Sequence, residues 1–301
     1  MATGATLRDE RLYLKAEHLQ KTGSFKARGT SNRIAALTGD ARERGAITLS
    51  AGNAGQAYAW AGRAAGVPIT VVMPVGAVRS KVDACLGYGA RVVLHGEHVG
   101  ETFAEMERIR DDEGLTFVHP FDDPAVIAGN GTVGLELLEE VPDLDVLVVS
   151  VGGGGLISGV AAAAKALRPA IRVIGVEPER SNALSLALDG DEVVTIQPQS
   201  VADGLGAPFA GAWTLAMAKR YVDDIVLLDD PTILAGLRFA LERLKQVVEP
   251  AGAAALAAVL AGRVEIHDGE RVAVLVSGGN VEVSRLGELV AAAGTFPGAP
   301  T

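Results

Sequence analysis

Cysteine is almost missing from this chain: Cys85 stands alone, so no disulfide can close within it and a cysteine-rich zinc site is excluded. The five histidines form no metal set. His95 and His98 flank Glu97, but a loop pair without a third ligand reads as solvated surface. An excess of positive charge is missing too. The formal net charge of −10 argues against nucleic acid or an anionic membrane surface as the main partner. No apolar stretch can cross a bilayer, since the longest small-apolar run, Ala251 to Ala261, is too short and too rich in alanine and glycine. No signal peptide is visible near the N-terminus, and a soluble cytoplasmic protein is expected. No Ser/His/Asp arrangement can be argued from spacing. The acidic pairs Asp111-Asp112 and Asp223-Asp224 read as exposed faces.

What is present is alanine, glycine, valine and leucine, with aromatic residues at only 4%. That mix suits a parallel α/β protein, whose buried strands are aliphatic runs and whose helices are alanine-rich. At 301 residues there is room for two cores or one large α/β unit. The pattern predicts strands at 46–49, 67–73, 91–94 and 116–118, with helices at 55–65, 78–86 and 100–113 between them. A second set follows: a helix at 131–140, strands at 145–150, 171–176 and 271–276, and helices running to 167 and over 231–245 and 252–260. No internal repeat is visible, and only a small polar tail follows Thr295. The boundaries read as a large domain of residues 1–42 and 123–301 around a small domain of 43–122.

Four segments carry chemistry. Thr22-Gly-Ser-Phe-Lys-Ala-Arg-Gly29 places Lys26 behind a glycine-serine turn and beside an aromatic ring. A lysine so held can lose its proton and attack a carbonyl; alone the signal is weak, since a lysine between Phe and Ala is usually a solvated helix residue. Gly152, Gly153, Gly154 and Gly155 follow an apolar strand and open a helix, so successive N–H groups and a helix N-terminus can cradle a phosphate. Close packing alone is the weaker alternative, because four glycines in a row cost backbone entropy. A dinucleotide fingerprint fails for want of a G-x-G-x-x-G register, although Glu177 ends the next strand at a suitable distance. Ser50-Ala-Gly-Asn-Ala-Gly-Gln56 lies at a strand end and can hold a carboxylate or ring hydroxyl, or can be an ordinary helix cap. Ser277-Gly-Gly-Asn280 ends another strand, where a hydroxyl can serve a ring nitrogen. Three of the four segments lie at strand carboxyl ends, where open α/β sheets bind ligands.

In this order the segments resemble the fold-type II pyridoxal-phosphate enzymes, and within them the threonine/serine dehydratase and serine racemase family. The resemblance runs from Leu12-Tyr-Leu-Lys-Ala-Glu-His-Leu-Gln20 to Asn280 and includes His119-Pro-Phe-Asp-Asp-Pro124, Ala202-Asp-Gly204 and Val248-Glu-Pro-Ala-Gly252. It implies a tryptophan synthase β-like α/β fold of two open parallel-sheet domains with the cofactor, pyridoxal 5'-phosphate, between them. It implies that Lys26 is the catalytic residue and carries the cofactor as a Schiff base, that Phe25 packs on the ring, and that Asn53 bonds the ring hydroxyl. Gly152 to Gly155 would hold the phosphate and Ser277 would face the ring nitrogen, with Gly204 and Glu249 lining the site. Ser50, Ala51, Gly52 and Asn53 would bind the substrate. The implied activity is β-elimination from a 3-hydroxy amino acid, L-threonine or L-serine, to a 2-oxo acid and ammonia. Racemisation of serine, or dehydration of phenylserine or 3-hydroxyaspartate, is the alternative. A homo-oligomer, dimer or tetramer, is expected. A different class of reading is a silent descendant that keeps the fold and only binds ligand.

The chain also departs from the family pattern. Only eleven residues precede Leu12, where relatives carry a longer segment with a Thr-Pro-Leu-type motif. Ala54 stands where histidine is common. The cation site of some relatives would use Glu177, the Ser181 carbonyl and an acid at the position of Ala183, so no bound metal is expected. Racemases carry serine at the position of Ala51. With nothing after residue 301, feedback control through a second domain is not expected.

Overall fold

The computed structural model describes residues 11–296. Its elements begin with β1 (Leu12–Lys15), α1 (Lys26–Ala35), α2 (Gly39–Arg44), β2 (Ala46–Leu49) and α3 (Asn53–Ala65). Next come β3 (Ile69–Met73), α4 (Arg79–Gly87), β4 (Arg91–Leu94), α5 (Val99–Glu113), β5 (Thr116–Phe117) and α6 (Pro124–Glu140). The second half holds β6 (Val146–Ser150), α7 (Gly155–Leu167), β7 (Arg172–Pro178), α8 (Ala183–Gly190), α9 (Ala212–Tyr221) and β8 (Asp224–Leu228). It closes with α10 (Asp230–Glu242), α11 (Pro250–Leu260), β9 (Val272–Leu275) and α12 (Val283–Ala292).

The chain divides into two compact units. The smaller, Phe25–Asn130, holds a parallel sheet in the order β4-β3-β2-β5. Its centre is β3, with all five residues buried. One core packs β3, β2 and α3 through Val71, Met73, Ala46 and Tyr58, and a second covers Ile47 and Val72 with Met106 and Ile109 of α5. Helices on the crossovers bury the sheet, and the aliphatic runs of its central strands follow from that burial.

The larger unit, residues 11–24 and 131–296 of those described, holds five parallel strands in the order β1-β9-β6-β7-β8. β6 and β9 are buried along their whole length. The Ala251–Ala261 run forms most of α11, in which every residue from Pro250 to Val259 is buried. Small side chains there let helices approach closely: a Cβ on Gly236 of α10 would stand 2.6 Å from the Ala257 Cβ. No helix among the described residues is long and apolar enough to cross a membrane.

The boundaries differ from those expected near 42 and 123. α1 packs along α3, and a Cβ on Gly29 would sit 2.7 Å from the Val126 carbonyl oxygen of α6. This backbone contact keeps residues 26–35 and the first turns of α6 in the smaller unit, moving the divisions to 24/25 and 130/131. α6 itself starts at Pro124, seven residues before the expected 131, because the Asp123 carboxylate accepts from the Ala125 and Val126 N–H groups. β1, β8, α1, α2, α8, α9 and α12 were not expected from periodicity. β8 is short and only partly buried, so its alternation is faint.

Gly236→Ala sets two effects against each other. Alanine gains roughly 1 kcal/mol of helix propensity, but overpacking a filled helix contact costs about 1–3 kcal/mol. With the Ala257 Cβ and Cα and the Ala253 carbonyl oxygen facing the new methyl, overpacking should win, lowering the urea midpoint of the folded chain; an unchanged or raised midpoint would refute the close α10–α11 contact.

Candidate active site

The chain leaves Ser24 extended, enters the smaller unit with a turn at Phe25, and begins α1 with Lys26. The Lys26 Nζ donates to the Pro120 carbonyl oxygen at 2.9 Å and lies 5.0 Å from the Phe25 ring centroid. The loop that supplies this carbonyl is braced from several directions. His119 Nδ1 accepts from the N–H groups of Phe121 at 3.2 Å and Asp122 at 2.8 Å. The His119 ring makes edge contacts to Phe117 and Phe121. Tyr58, fully buried in α3, donates its hydroxyl to the His119 carbonyl at 2.8 Å. Arg33 Nε of α1 pairs with Asp123 at 2.7 Å, fixing the loop's far end. Burial drives the Tyr58 phenol well above its ordinary range, so it stays a donor. The segment His119–Pro124 was noted from sequence only as a matching motif; its role as the brace for the lysine amine emerges from these bonds.

Ser50 follows β2, and its Oγ accepts from the Gly52 N–H at 3.2 Å. α3 begins at Asn53, two residues earlier than expected, with Gly52 as its cap. Asn53 Oδ1 accepts from the Gln56 side chain at 3.3 Å. Ser50, Ala51, Gly52 and Asn53 therefore form one turn at a helix N-terminus, where the first N–H groups point outward with the positive end of the helix dipole.

The larger unit gathers its own set. Ser150 ends β6, and Gly152–Gly154 lead into α7 at Gly155. Gly154 has φ +84°, a left-handed conformation natural to glycine, and a Cβ there would lie 2.9 Å from the Thr214 Cβ. A Cβ on Gly152 would lie 3.1 Å from the Leu205 Cα. Next to Leu205, Gly204 faces Glu249: its Cβ would stand 2.8 Å from the Ala251 Cβ and 3.8 Å from Glu249 Oε1. The Ala251 carbonyl accepts from Ser277 Oγ at 3.4 Å, and Ser277 Oγ accepts from Ser150 Oγ at 3.3 Å. Gly152, Gly204, Glu249 and Ser277 thus lie on one closed circuit of contacts at the carboxyl ends of β6 and β9. Ser150 belongs to it, and Thr214 packs on Gly154 beside it; neither was singled out from sequence, and only the packing reveals them.

Glu177, considered from sequence as a cation ligand, is fully buried in β7 and accepts from the N–H groups of Leu184 and Ser185 at the start of α8. Burial pushes its carboxyl up to about 7, against the pull of those two bonds. His98 caps α5 by accepting from the Glu101 N–H at 3.4 Å and pairs with the Glu101 carboxylate. Among the described residues no group of three or more His, Cys, Asp or Glu could hold a metal ion.

The family described as pyridoxal-phosphate dependent enzyme matches this chain over residues 3–278. The chain is 42% identical to the L-threonine ammonia-lyase of Thermotoga maritima over 280 residues, spanning 93% of this chain and 69% of that protein. It is 40% identical to the catabolic L-threonine dehydratase of Escherichia coli K12, spanning 92% of this chain and 85% of that one. Among solved structures, that of maize serine racemase resembles it with a TM-score of 0.88 at 37% identity, covering 92% of this chain and 85% of that one.

The lysine brace has a pH signature. Burial lowers the His119 imidazole from 6.5 to about 4, the Lys26 charge acting in the same direction and the Asp122 charge opposing it. Below pH 6.5 the unfolded chain takes up a proton that the folded chain refuses. The contribution is therefore complete above 6.5 and is lost as pH falls toward 4. Between pH 6.5 and 5 this should remove roughly 2 kcal/mol of stability, and urea midpoints of His119→Asn should show a shallower slope over that interval. Identical slopes would mean that His119 is not held neutral.

Proposed function

Since this chain belongs to the pyridoxal-phosphate dependent enzyme family, we propose that it is a lyase that eliminates the β-hydroxyl of L-threonine or L-serine, yielding a 2-oxo acid and ammonia. The observation that carries this reading is the 42% identity to a threonine ammonia-lyase across 93% of the chain. When bound, pyridoxal phosphate supplies the electron sink that makes the substrate α-proton removable.

The chain's own residues divide the remaining work. Lys26 would hold the cofactor through Nζ, and its amine, when free, would take the proton from the substrate α-carbon. The Pro120 carbonyl oxygen, 2.9 Å from that amine, orients it. Phe25 would pack on the cofactor ring. Asn53 would bond the ring hydroxyl. Ser50, Ala51, Gly52 and the first N–H groups of α3 take the substrate carboxylate. Gly152, Gly153, Gly154 and Gly155 take the phosphate, with Gly204 and Glu249 as neighbouring walls. Support comes from the close backbone approaches at Gly152 and Gly154, where a Cβ would meet other atoms of the chain, and from the helix start at Gly155. The donor set suits a phosphorylated ring aldehyde: amides for a dianion, an amine for the aldehyde, a hydroxyl for the ring nitrogen.

Ser277 sets the chemistry. Its hydroxyl cannot hold a proton on a ring nitrogen as a carboxylate would, so the sink is weaker and prompt departure of the β-hydroxyl is favoured. Atoms balance in the net reaction: L-threonine becomes 2-oxobutanoate and ammonia, the water lost on elimination returning in hydrolysis. Racemisation is the second reading, favoured by the likeness to maize serine racemase. It needs a second proton carrier on the opposite face, and the Ala51 methyl can carry none. The enzyme acts in the cytoplasm on a small amino acid, without nucleic acid or membrane, as a homo-oligomer. The acidic net charge of −10 is in keeping with this, and light scattering would read dimer against tetramer.

Lys26→Ala should lower turnover by at least about 10³-fold and abolish the visible absorption band while leaving the far-ultraviolet spectrum unchanged. Borohydride labelling at another lysine would overturn the assignment. A coupled assay across L-threonine, L-serine, phenylserine and 3-hydroxyaspartate should find L-threonine or L-serine turned over fastest. Ala51→Ser should raise the D-isomer fraction on chiral chromatography, whereas D-serine forming from the unmodified protein as fast as pyruvate would refute elimination as the main course.

A further inference from the structure

Thr22, four residues before Lys26, has φ +61° and ψ +14°. A β-branched residue in the left-handed region is an outlier, and it persists only where its surroundings hold it. Its own side chain does not: Thr22 Oγ1 is buried and has no hydrogen-bond partner among the described residues. The hold comes from the end of the chain. Asn280 Nδ2 donates to the Thr22 carbonyl oxygen at 2.7 Å. The same side chain occupies the space beside Gly23, where a Cβ would come within 2.3 Å of Asn280 Oδ1. The Gly279 N–H donates to the Gly23 carbonyl at 2.9 Å, and Ser24 pairs with Gly278 in an isolated antiparallel bridge. The turn giving these bonds is itself immobilised: Gly278 O accepts from the Glu249 N–H at 3.1 Å, and a Cβ on Gly279 would meet the Val247 carbonyl at 2.9 Å.

From this geometry we infer that Asn280 is a positioning residue for Lys26. It holds Thr22 in its strained conformation and so sets the backbone direction of Gly23 and Ser24, which run directly into Phe25 and Lys26. The inference rests on the reading of Lys26 as the cofactor-bearing lysine. Because the anchor offsets a cost specific to a side chain at φ +61°, the need for it should vanish when residue 22 has no side chain.

The test mixes apo-protein with pyridoxal phosphate for timed intervals, quenches with borohydride, and measures the labelled Lys26 peptide by mass spectrometry. Asn280→Ala should label Lys26 about tenfold more slowly, the change expected when a strained backbone loses its anchor. Thr22→Gly alone should label at close to the unmodified rate. The double variant Thr22→Gly/Asn280→Ala should recover to within about threefold, a rescue that a general loss of stability would not produce. Asn280→Asp keeps the size but removes the donor; it should behave as Asn280→Ala and decides the matter if the alanine variant does not fold. Without cofactor, hydrogen exchange at the Gly23 N–H should be faster in Asn280→Ala. Labelling at the unmodified rate in both Asn280 variants, or a double variant as slow as the single one, overturns the positioning role. Labelling of the unmodified protein at a lysine other than Lys26 overturns the assignment of Lys26 instead.

Discussion

At the carboxyl ends of the larger sheet, backbone packs on backbone more tightly than any side chain would allow. A Cβ on Gly252 would lie 2.2 Å from the Gly278 carbonyl oxygen, and one on Gly204 would lie 2.8 Å from the Ala251 Cβ. The first contact is to backbone and the second to the Ala251 methyl, and at under 3.0 Å neither leaves room for a methyl group, so α11 meets the Ser277–Asn280 turn and the Asp203–Leu205 turn at glycines. This close approach places the Ser277 hydroxyl within reach of Ser150 and brings Glu249 beside Gly204. It also presents Asn280 to the segment that leads into Lys26.

The smaller unit solves a different problem with the same means. The Lys26 amine is held at the start of a helix, and the group that holds it is a carbonyl in a loop. A loop carbonyl is a poor anchor unless the loop itself is rigid. Here His119 bonds two amides of its own loop, Tyr58 bonds the carbonyl before Pro120, and Asp123 both caps α6 and pairs with Arg33. Each bond is local or reaches one neighbouring helix, and each is partly shielded from water. In such surroundings hydrogen bonds are worth more than on the surface, and an unpaired group costs more.

Much of this was legible in the residues. The strands β2, β3, β6 and β9 are aliphatic runs because both faces of a parallel sheet are covered, and burial leaves that mark directly. The glycine run announces a helix start after a strand because few other sequences tolerate a left-handed residue such as Gly154 there. The weaker elements escaped notice for an equally physical reason. β8 is half-exposed and short, and α1 is mostly polar, so neither carries a strong periodic signal.

Composition and local pattern determined the α/β class, the parallel sheets and the four chemical segments, because each follows from properties of neighbouring residues; the family followed from the resemblance of those segments to known enzymes. Tertiary structure decided the rest. Whether α1 belongs with the smaller unit depended on Gly29 meeting Val126, far along the chain. Pro120 as the partner of Lys26, Glu177 as the cap of α8 and Asn280 as the anchor of Thr22 are pairings across 94, 7 and 258 positions. Hydrogen bonds of that kind leave no periodicity, since either partner alone is an ordinary polar group. Only the folded backbone, by bringing donor and acceptor together out of water, gives them their meaning.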